Sequence, residues 1–203
     1  MSPPLVLAST SRWRRGLLER LGVPFACADP ELDEEPWKER GLAPRELVEQ
    51  LAVAKARAVA EQHPGALVLG GDQVACVGDA VLGKPGTVER AEAQLRSMAG
   101  RTHELVSGMA LLDTRDGSVR TLVDVHRMTL RPLTDGQIAE YVRRERPLDA
   151  AGSYYIEGLG IALFESLRGD DYTAILGMPL TGVVRLLAEA GVDVLAPGAE
   201  GEA

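Results

Sequence analysis

Leu5-Val6-Leu7-Ala8-Ser9-Thr10-Ser11-Arg12-Trp13-Arg14-Arg15-Gly16-Leu17-Leu18 reads as a short apolar strand that passes through three consecutive hydroxyl residues into a helix. A strand handing over to a helix start in this way belongs to α/β architecture, and it outlines an anion site. Unpaired amides at a helix start carry partial positive charge, the hydroxyls can donate to phosphate oxygens, and an arginine fork can grip them bidentately. Arg12, Arg14 and Arg15 crowd the first turn, where basic residues are unfavourable unless an anion is expected. The alternative reading is a capped surface helix with its arginines in water.

With 203 residues, the chain is long enough for one large domain or two intimate lobes. Residues 1–195 read as one domain and 196–203, rich in Gly, Ala and Glu, as a disordered tail. The net charge of -8 argues against a nucleic-acid partner and makes any basic patch a local device. Cys27 and Cys76 lack disulfide or CxxC spacing and read as packed or free thiols in a reducing compartment. No stretch has the length and apolarity of a membrane span, and no basic region followed by an apolar run opens the chain. A cytoplasmic protein without a membrane partner is expected.

Beyond the first helix, Val23 to Ala28 predicts a second strand leading into the acidic, proline-fenced loop Asp29-Pro30-Glu31-Leu32-Asp33-Glu34-Glu35-Pro36. Its carboxylates repel one another, and a divalent ion held jointly with phosphate would offset them; a solvated loop is the alternative. Pro44 to Ala60 has helical spacing and carries Lys55. Ala66 to Leu69 predicts a strand buried on both faces that stops at Gly70-Gly71-Asp72-Gln73, putting Asp72 at a strand end, a usual place for catalysis in an open α/β sheet. A hairpin turning at Gly78-Asp79 then brings Lys84 back past Asp72. Helices follow at Thr87 to Ala99 and from Thr134 to Arg146, with strands between them around His103 to Leu112 and Arg120 to Leu130. His63, His103 and His126 lack metal-ligand spacing and read as structural. Ala151 to Glu165, with three glycines around Glu157, suggests a binding loop, and a last helix runs from Pro179 to Gly191.

Taken in order, Leu7-Ala8-Ser9-Thr10-Ser11, Gly71-Asp72-Gln73, Gly83-Lys84-Pro85, Ala151-Gly152-Ser153-Tyr154 with Gly158-Leu159-Gly160, and Gly177-Met178-Pro179-Leu180 resemble the motifs of the Maf family of nucleoside-triphosphate pyrophosphatases. The resemblance spans roughly Leu5 to Val194. It implies a two-lobed α/β fold, like that of inosine-triphosphate pyrophosphatases, on a long mixed twisted sheet with the active-site cleft between the lobes, usually as a homodimer. It further implies hydrolysis of a nucleoside triphosphate to monophosphate and pyrophosphate with a divalent metal such as magnesium, manganese or cobalt. By motif, Asp72 takes the place of the catalytic carboxylate and, with Glu34, of the metal ligands. Ser9, Ser11, Arg14, Lys55 and Lys84 match substrate-binding positions. Arg12 departs from the family's usual proline.

Trp13, Gln73 and Glu157 resemble the branch that hydrolyses 7-methyl-GTP, where much of the family has arginine, threonine and glutamine and acts on dTTP and UTP. N7-methylation makes guanine a cation, which an indole face attracts by about 1–2 kcal/mol when desolvated. Glu157 can accept hydrogen bonds from the guanine N1–H and amino group. Two other readings stand beside this one: a dTTP/UTP pyrophosphatase, and a non-catalytic nucleotide-binding regulator of septum formation.

Overall fold

The computed structural model describes residues 3–196; the expected disordered tail beyond Ala196 lies outside the described residues. Seven strands form one mixed sheet: β1 (Leu5–Ala8), β2 (Phe25–Ala28), β3 (Leu67–Val77), β4 (Ala80–Leu82), β5 (Thr102–Asp113), β6 (Val119–Leu130) and β7 (Phe164–Arg168). Their spatial order is β2-β1-β3-β5-β6-β7, with β4 against the far end of β3. β1 is parallel to β2 and β3, and the remaining pairs are antiparallel. The helices are α1 (Arg12–Glu19), α2 (Glu35–Lys38), α3 (Pro44–Ala60), α4 (Val88–Met98), α5 (Asp135–Glu145) and α6 (Leu180–Glu189).

Alternation along the strands divides the apolar residues between two faces. Leu5, Leu7, Leu67 and Leu69 pack with α1 and α6, whereas Val6, Ala8 and Val68 pack with Ala56 and Val59 of α3. The far halves of β5 and β6 carry a separate core, in which Leu105, Met128 and Leu130 meet Leu95 and Met98 of α4 and Ile138 and Val142 of α5. The long strands thus run through two lobes, as expected. Thr134 and Gln137 form the reciprocal capping box that starts α5. Among the described residues no helix is long and apolar enough to cross a membrane.

Two expectations change. β3 does not stop at Gly70 but continues to Val77, so Asp72 lies in mid-strand. Its glycines serve close packing instead of a break: a β-carbon at Gly70 would collide with the Ala52 carbonyl of α3, and one at Gly108 of β5 would lie 2.6 Å from the Val48 carbonyl. Asp72 pairs with Gly108 across the sheet, so α3 rests on bare backbone beside the carboxylate. Packing also fails for Cys27, which is exposed on edge strand β2, while Cys76 is buried; both are free.

β1 ends opposite Gly70, and β4, running antiparallel, ends opposite Ala75. From Gly71 to Val74 one edge of β3 therefore has no neighbouring strand. Side chains from both faces of β3 reach one opening there.

Gly70→Ala is expected to destabilise the protein by about 2–3 kcal/mol in urea unfolding, because backbone must move to admit the methyl group. Gly16→Ala, on an exposed helix position with nothing within 4 Å, is the control and is expected to stabilise by about 0.5–1 kcal/mol. Equal effects at the two sites would contradict the close-packing account.

Candidate active site

A cleft of about 840 Å³ opens at the unpaired edge of β3. Ser9, Ser11, Trp13, Arg14, Glu34, Lys55, Asp72, Gln73, Lys84 and Glu157 all line it, so every site residue expected from the sequence faces one space. They arrive on separate elements: the β1–α1 turn, the acidic loop, α3, β3, the segment after β4, and the loop before β7.

The turn after β1 has hydroxyls and a helix start that can receive an anion. Ser9 Oγ accepts the Ser11 amide (3.1 Å) and Ser11 Oγ, the cap of α1, accepts the Arg14 amide (3.4 Å). Each hydroxyl thus keeps its own hydrogen for a ligand. No acidic residue stands in the first turn of α1, which leaves the helix start electropositive. Arg14 Nε donates to the Gly177 carbonyl at 3.0 Å. Burial pushes the Arg14 guanidinium below its usual pKa, against the opposing attraction of Asp72 and Glu34.

On the other face of β3, Lys55 Nζ lies 2.7 Å from Asp72 Oδ1 and 2.7 Å from Glu34 Oε1. Lys55 is buried although it sits on a helix, because α3 lies against the two glycines. Burial raises the Asp72 carboxyl above the ordinary range; the charge and hydrogen bond of Lys55 oppose this, and Arg14 helps it do so. Glu34 is half-buried, yet the Lys55 hydrogen bond and the charges of Lys55, Lys38 and Lys84 outweigh that burial and hold its carboxyl below the usual range. Among the described residues no three His, Cys, Asp or Glu form a metal cage. Two converging carboxylates are nonetheless the set that magnesium uses when phosphate oxygens and water complete its octahedron. The donor set therefore fits a metal that arrives with a phosphate ligand.

The base-recognition candidates stand apart from this cluster. Trp13 is 40 % exposed, with the Arg12 guanidinium 4.7 Å from its ring centre. Glu157 is exposed. The glycine-rich loop is only partly a binding loop: Tyr154, Tyr155, Ile156 and Glu157 line the cleft. A β-carbon at Gly158 would meet the Glu145 carboxylate and one at Gly160 the Tyr155 carbonyl, so those glycines serve packing. The histidines stay out of the cleft: His103 is buried against Tyr154 and Phe164, and His126 pairs with Asp124.

A family model described as "Maf-like protein" matches residues 4–190. The chain belongs to the Maf family. It is 49% identical to the 7-methyl-GTP pyrophosphatase of Polaromonas sp., over 98% of this chain and 90% of that one. Identity is 49% to the protein of the same name from Bordetella pertussis, over 95% of each, and 47% to that of Nitrosococcus oceani, over 95% and 96%. Among solved structures, a HAM1 protein from Coxiella burnetii shares the fold, with a TM-score of 0.52 at 17% identity over 93% of this chain and 100% of that one.

One support of this Maf cleft carries no local sequence signal. Asp171 caps the short turn Tyr172–Leu176 and closes a clasp: Oδ1 accepts the Thr173 amide and hydroxyl, and Oδ2 accepts the Thr181 amide (2.7 Å) and hydroxyl (2.9 Å). The clasp holds the segment whose Gly177 carbonyl anchors Arg14. Burial alone would raise the Asp171 carboxyl, but its four hydrogen bonds to Thr173 and Thr181 hold it below the ordinary value. A carboxylate so depressed stabilises the fold fully above about pH 4, and loses that contribution as pH falls through its folded value. Asp171→Asn is expected to cost about 2–4 kcal/mol at pH 7, with the gap to wild type narrowing below about pH 4. Urea unfolding at several pH values checks this; a pH-independent gap would contradict it.

Proposed function

We propose that this protein is an enzyme that hydrolyses 7-methyl-GTP to 7-methyl-GMP and pyrophosphate, acting on the cytoplasmic nucleotide pool as a homodimer with a divalent cation. The observation that carries the reading is the joining of two chemistries in one cleft. An anion cradle and a buried carboxylate–ammonium cluster share it with an exposed indole face and a carboxylate, Trp13 and Glu157. A methylated, cationic guanine gains from both of the latter, whereas neutral uracil gains much less. The names of the relatives point the same way.

In this reading Ser9, Ser11, Arg14, Lys55 and Lys84 bind and align the triphosphate. Asp72 and Glu34 would hold a magnesium, manganese or cobalt ion, whose chemistry is to neutralise phosphate charge and acidify water. Lys55 engages Asp72 Oδ1, leaving Oδ2 to take the proton of the attacking water. The water oxygen bonds to the α-phosphorus, the bond from that phosphorus to the bridging oxygen breaks, and pyrophosphate leaves with the electron pair. A carboxyl raised by burial is the stronger base once ionised, and fixed positive groups stabilise the charge that builds up.

Pyrophosphate release from 7-methyl-GTP, GTP, UTP, dTTP and CTP tests the proposal. Wild type is expected to prefer 7-methyl-GTP and to stop when EDTA removes the metal. Asp72→Asn is expected to lower kcat by at least about a thousandfold, and Glu157→Gln to reduce the preference for 7-methyl-GTP about tenfold or more. Preference for UTP or dTTP would overturn the substrate, and no turnover of any nucleotide would overturn the enzyme.

A further inference from the structure

Gln73 follows Asp72 on β3 and points to the opposite face, toward β5 and the Tyr172–Leu176 turn. Its Nε2 donates to Ser107 Oγ at 2.7 Å and to the Ala174 carbonyl at 2.6 Å. A backbone carbonyl can only accept, so the amide orientation is fixed: the nitrogen faces Ala174. Ser107 is the cross-strand partner of Gln73, is 1 % exposed, and has its own hydroxyl directed to the same carbonyl at 3.3 Å. That hydroxyl hydrogen is thereby spent, and the Ser107 oxygen is left to accept from Gln73. Both amide hydrogens of Gln73 are thus consumed inside the protein. Oε1, on a half-buried side chain that lines the cleft, takes no hydrogen bond from any described residue.

We infer that Ser107, with the Ala174 carbonyl, is a positioning residue that locks Gln73 as a pure hydrogen-bond acceptor, and that Gln73 Oε1 reads a donor on the nucleoside part of the substrate. The inference rests on the reading that the substrate is a nucleoside triphosphate. The α- and β-phosphate oxygens are fully ionised at neutral pH, carry no donor and would be repelled by a fixed carbonyl, so Gln73 does not serve that part of the triphosphate. Its place along β3 agrees. On the same face, a β-carbon at Gly71 would come within 3.5 Å of Arg14 Nε, and one at Gly152, in the segment leading to Glu157, within 3.2 Å of the Ala75 methyl. Gln73 lies between, at the join of the phosphate end and the base end. With the guanine N1–H and one amino hydrogen assigned to Glu157, the nucleoside donors left for Gln73 are a ribose hydroxyl and the second hydrogen of the exocyclic amino group. A free amide could rotate and offer N–H instead; the lock removes that choice, which is how a site rejects an analogue lacking one donor.

The test compares kcat/KM for 7-methyl-GTP, its 2′-deoxy analogue and its 2-desamino analogue in wild type, Ser107→Ala and Ser107→Thr. Wild type is expected to disfavour one analogue by about tenfold or more, the 2′-deoxy compound if the ribose is read and the 2-desamino compound if the base is. Ser107→Ala is expected to reduce that discrimination to about twofold, through a loss confined to 7-methyl-GTP and the one analogue that keeps the donor read, and Ser107→Thr to keep it. A purely structural role would lower all three substrates alike and would overturn the inference. So would a wild type indifferent to both analogues, or a Ser107→Ala protein as discriminating as wild type. A wild type that fails to hydrolyse 7-methyl-GTP overturns the functional reading and this inference with it, whereas active wild type with unchanged discrimination in Ser107→Ala overturns this inference alone.

Discussion

A single ammonium group, Lys55 Nζ, held 2.7 Å from both Asp72 and Glu34, sets the terms for the structure around it. A buried charge pair is costly to desolvate and tolerable only when its geometry is good; removing one partner from such a pair costs about 3–5 kcal/mol. The geometry is secured by backbone. α3 must lie against β3 and β5 closely enough for a lysine on its buried face to reach a strand residue, and Gly70 and Gly108 make that possible. The apolar face of α3, with Leu51, Ala52, Ala56 and Val59 all buried, supplies the force that keeps it there. The acidic loop then contributes Glu34 to a cation that already has one carboxylate.

The second constraint is the stretch of β3 from Gly71 to Val74, between its pairings with β1 and with β4, where one edge has no partner strand. In a continuous sheet, consecutive side chains such as Asp72 and Gln73 serve different faces and cannot share a ligand. Removing the neighbour lets the cleft wrap around the edge, so the carboxylate cluster on one face and Arg14 and Gln73 on the other can act on one molecule. The Asp171 clasp then fixes the far wall. Its turn presents the Ala174 carbonyl to Gln73 and the Gly177 carbonyl to Arg14, and Gly177 adopts a φ of 106°, where a side chain would be strained.

Local signals made much of this legible. The strand-to-helix stretch with its hydroxyls, the helical spacing around Lys55, the Gly78-Asp79 hairpin and the capping box at Thr134 each depend on residues a few positions apart, and each forms where the pattern put it. Gly70-Gly71 misled because a glycine pair signals either a chain break or a close backbone approach, and only the packing of α3 decides between them. Ser107 and Asp171 gave no signal at all. Ser107 acquires its meaning from Gln73, 34 residues away in sequence, and Asp171 from the clasp it closes on Thr181. A lone serine in a strand and an aspartate in a turn are too common to read without their partners. Asp72 and Lys84 were singled out by the expected strand end and the hairpin return, and Lys55 was assigned to the site by motif resemblance; their convergence on one edge is a tertiary fact.

The electrostatics of the cleft favour an anion at the start of α1. Arg14 is desolvated and drawn below its ordinary pKa, while burial raises Asp72 above its own; both groups are held where their charged forms are disfavoured. The arginine-rich first turn of α1 adds a helix start with no acidic residue to satisfy it. In a chain of net charge -8, these positive groups are concentrated where the strand edge is open. On the proposed reading, a polyphosphate bound there would supply counter-charge to Arg14 and to the helix start, while Lys55 already supplies it to Asp72 and Glu34. The site is therefore strained in its charges and prepared in its geometry. The cost of assembling those charges is met when the protein folds, by the apolar packing of α3 and α6 that surrounds them, so that substrate binding need not reorganise them.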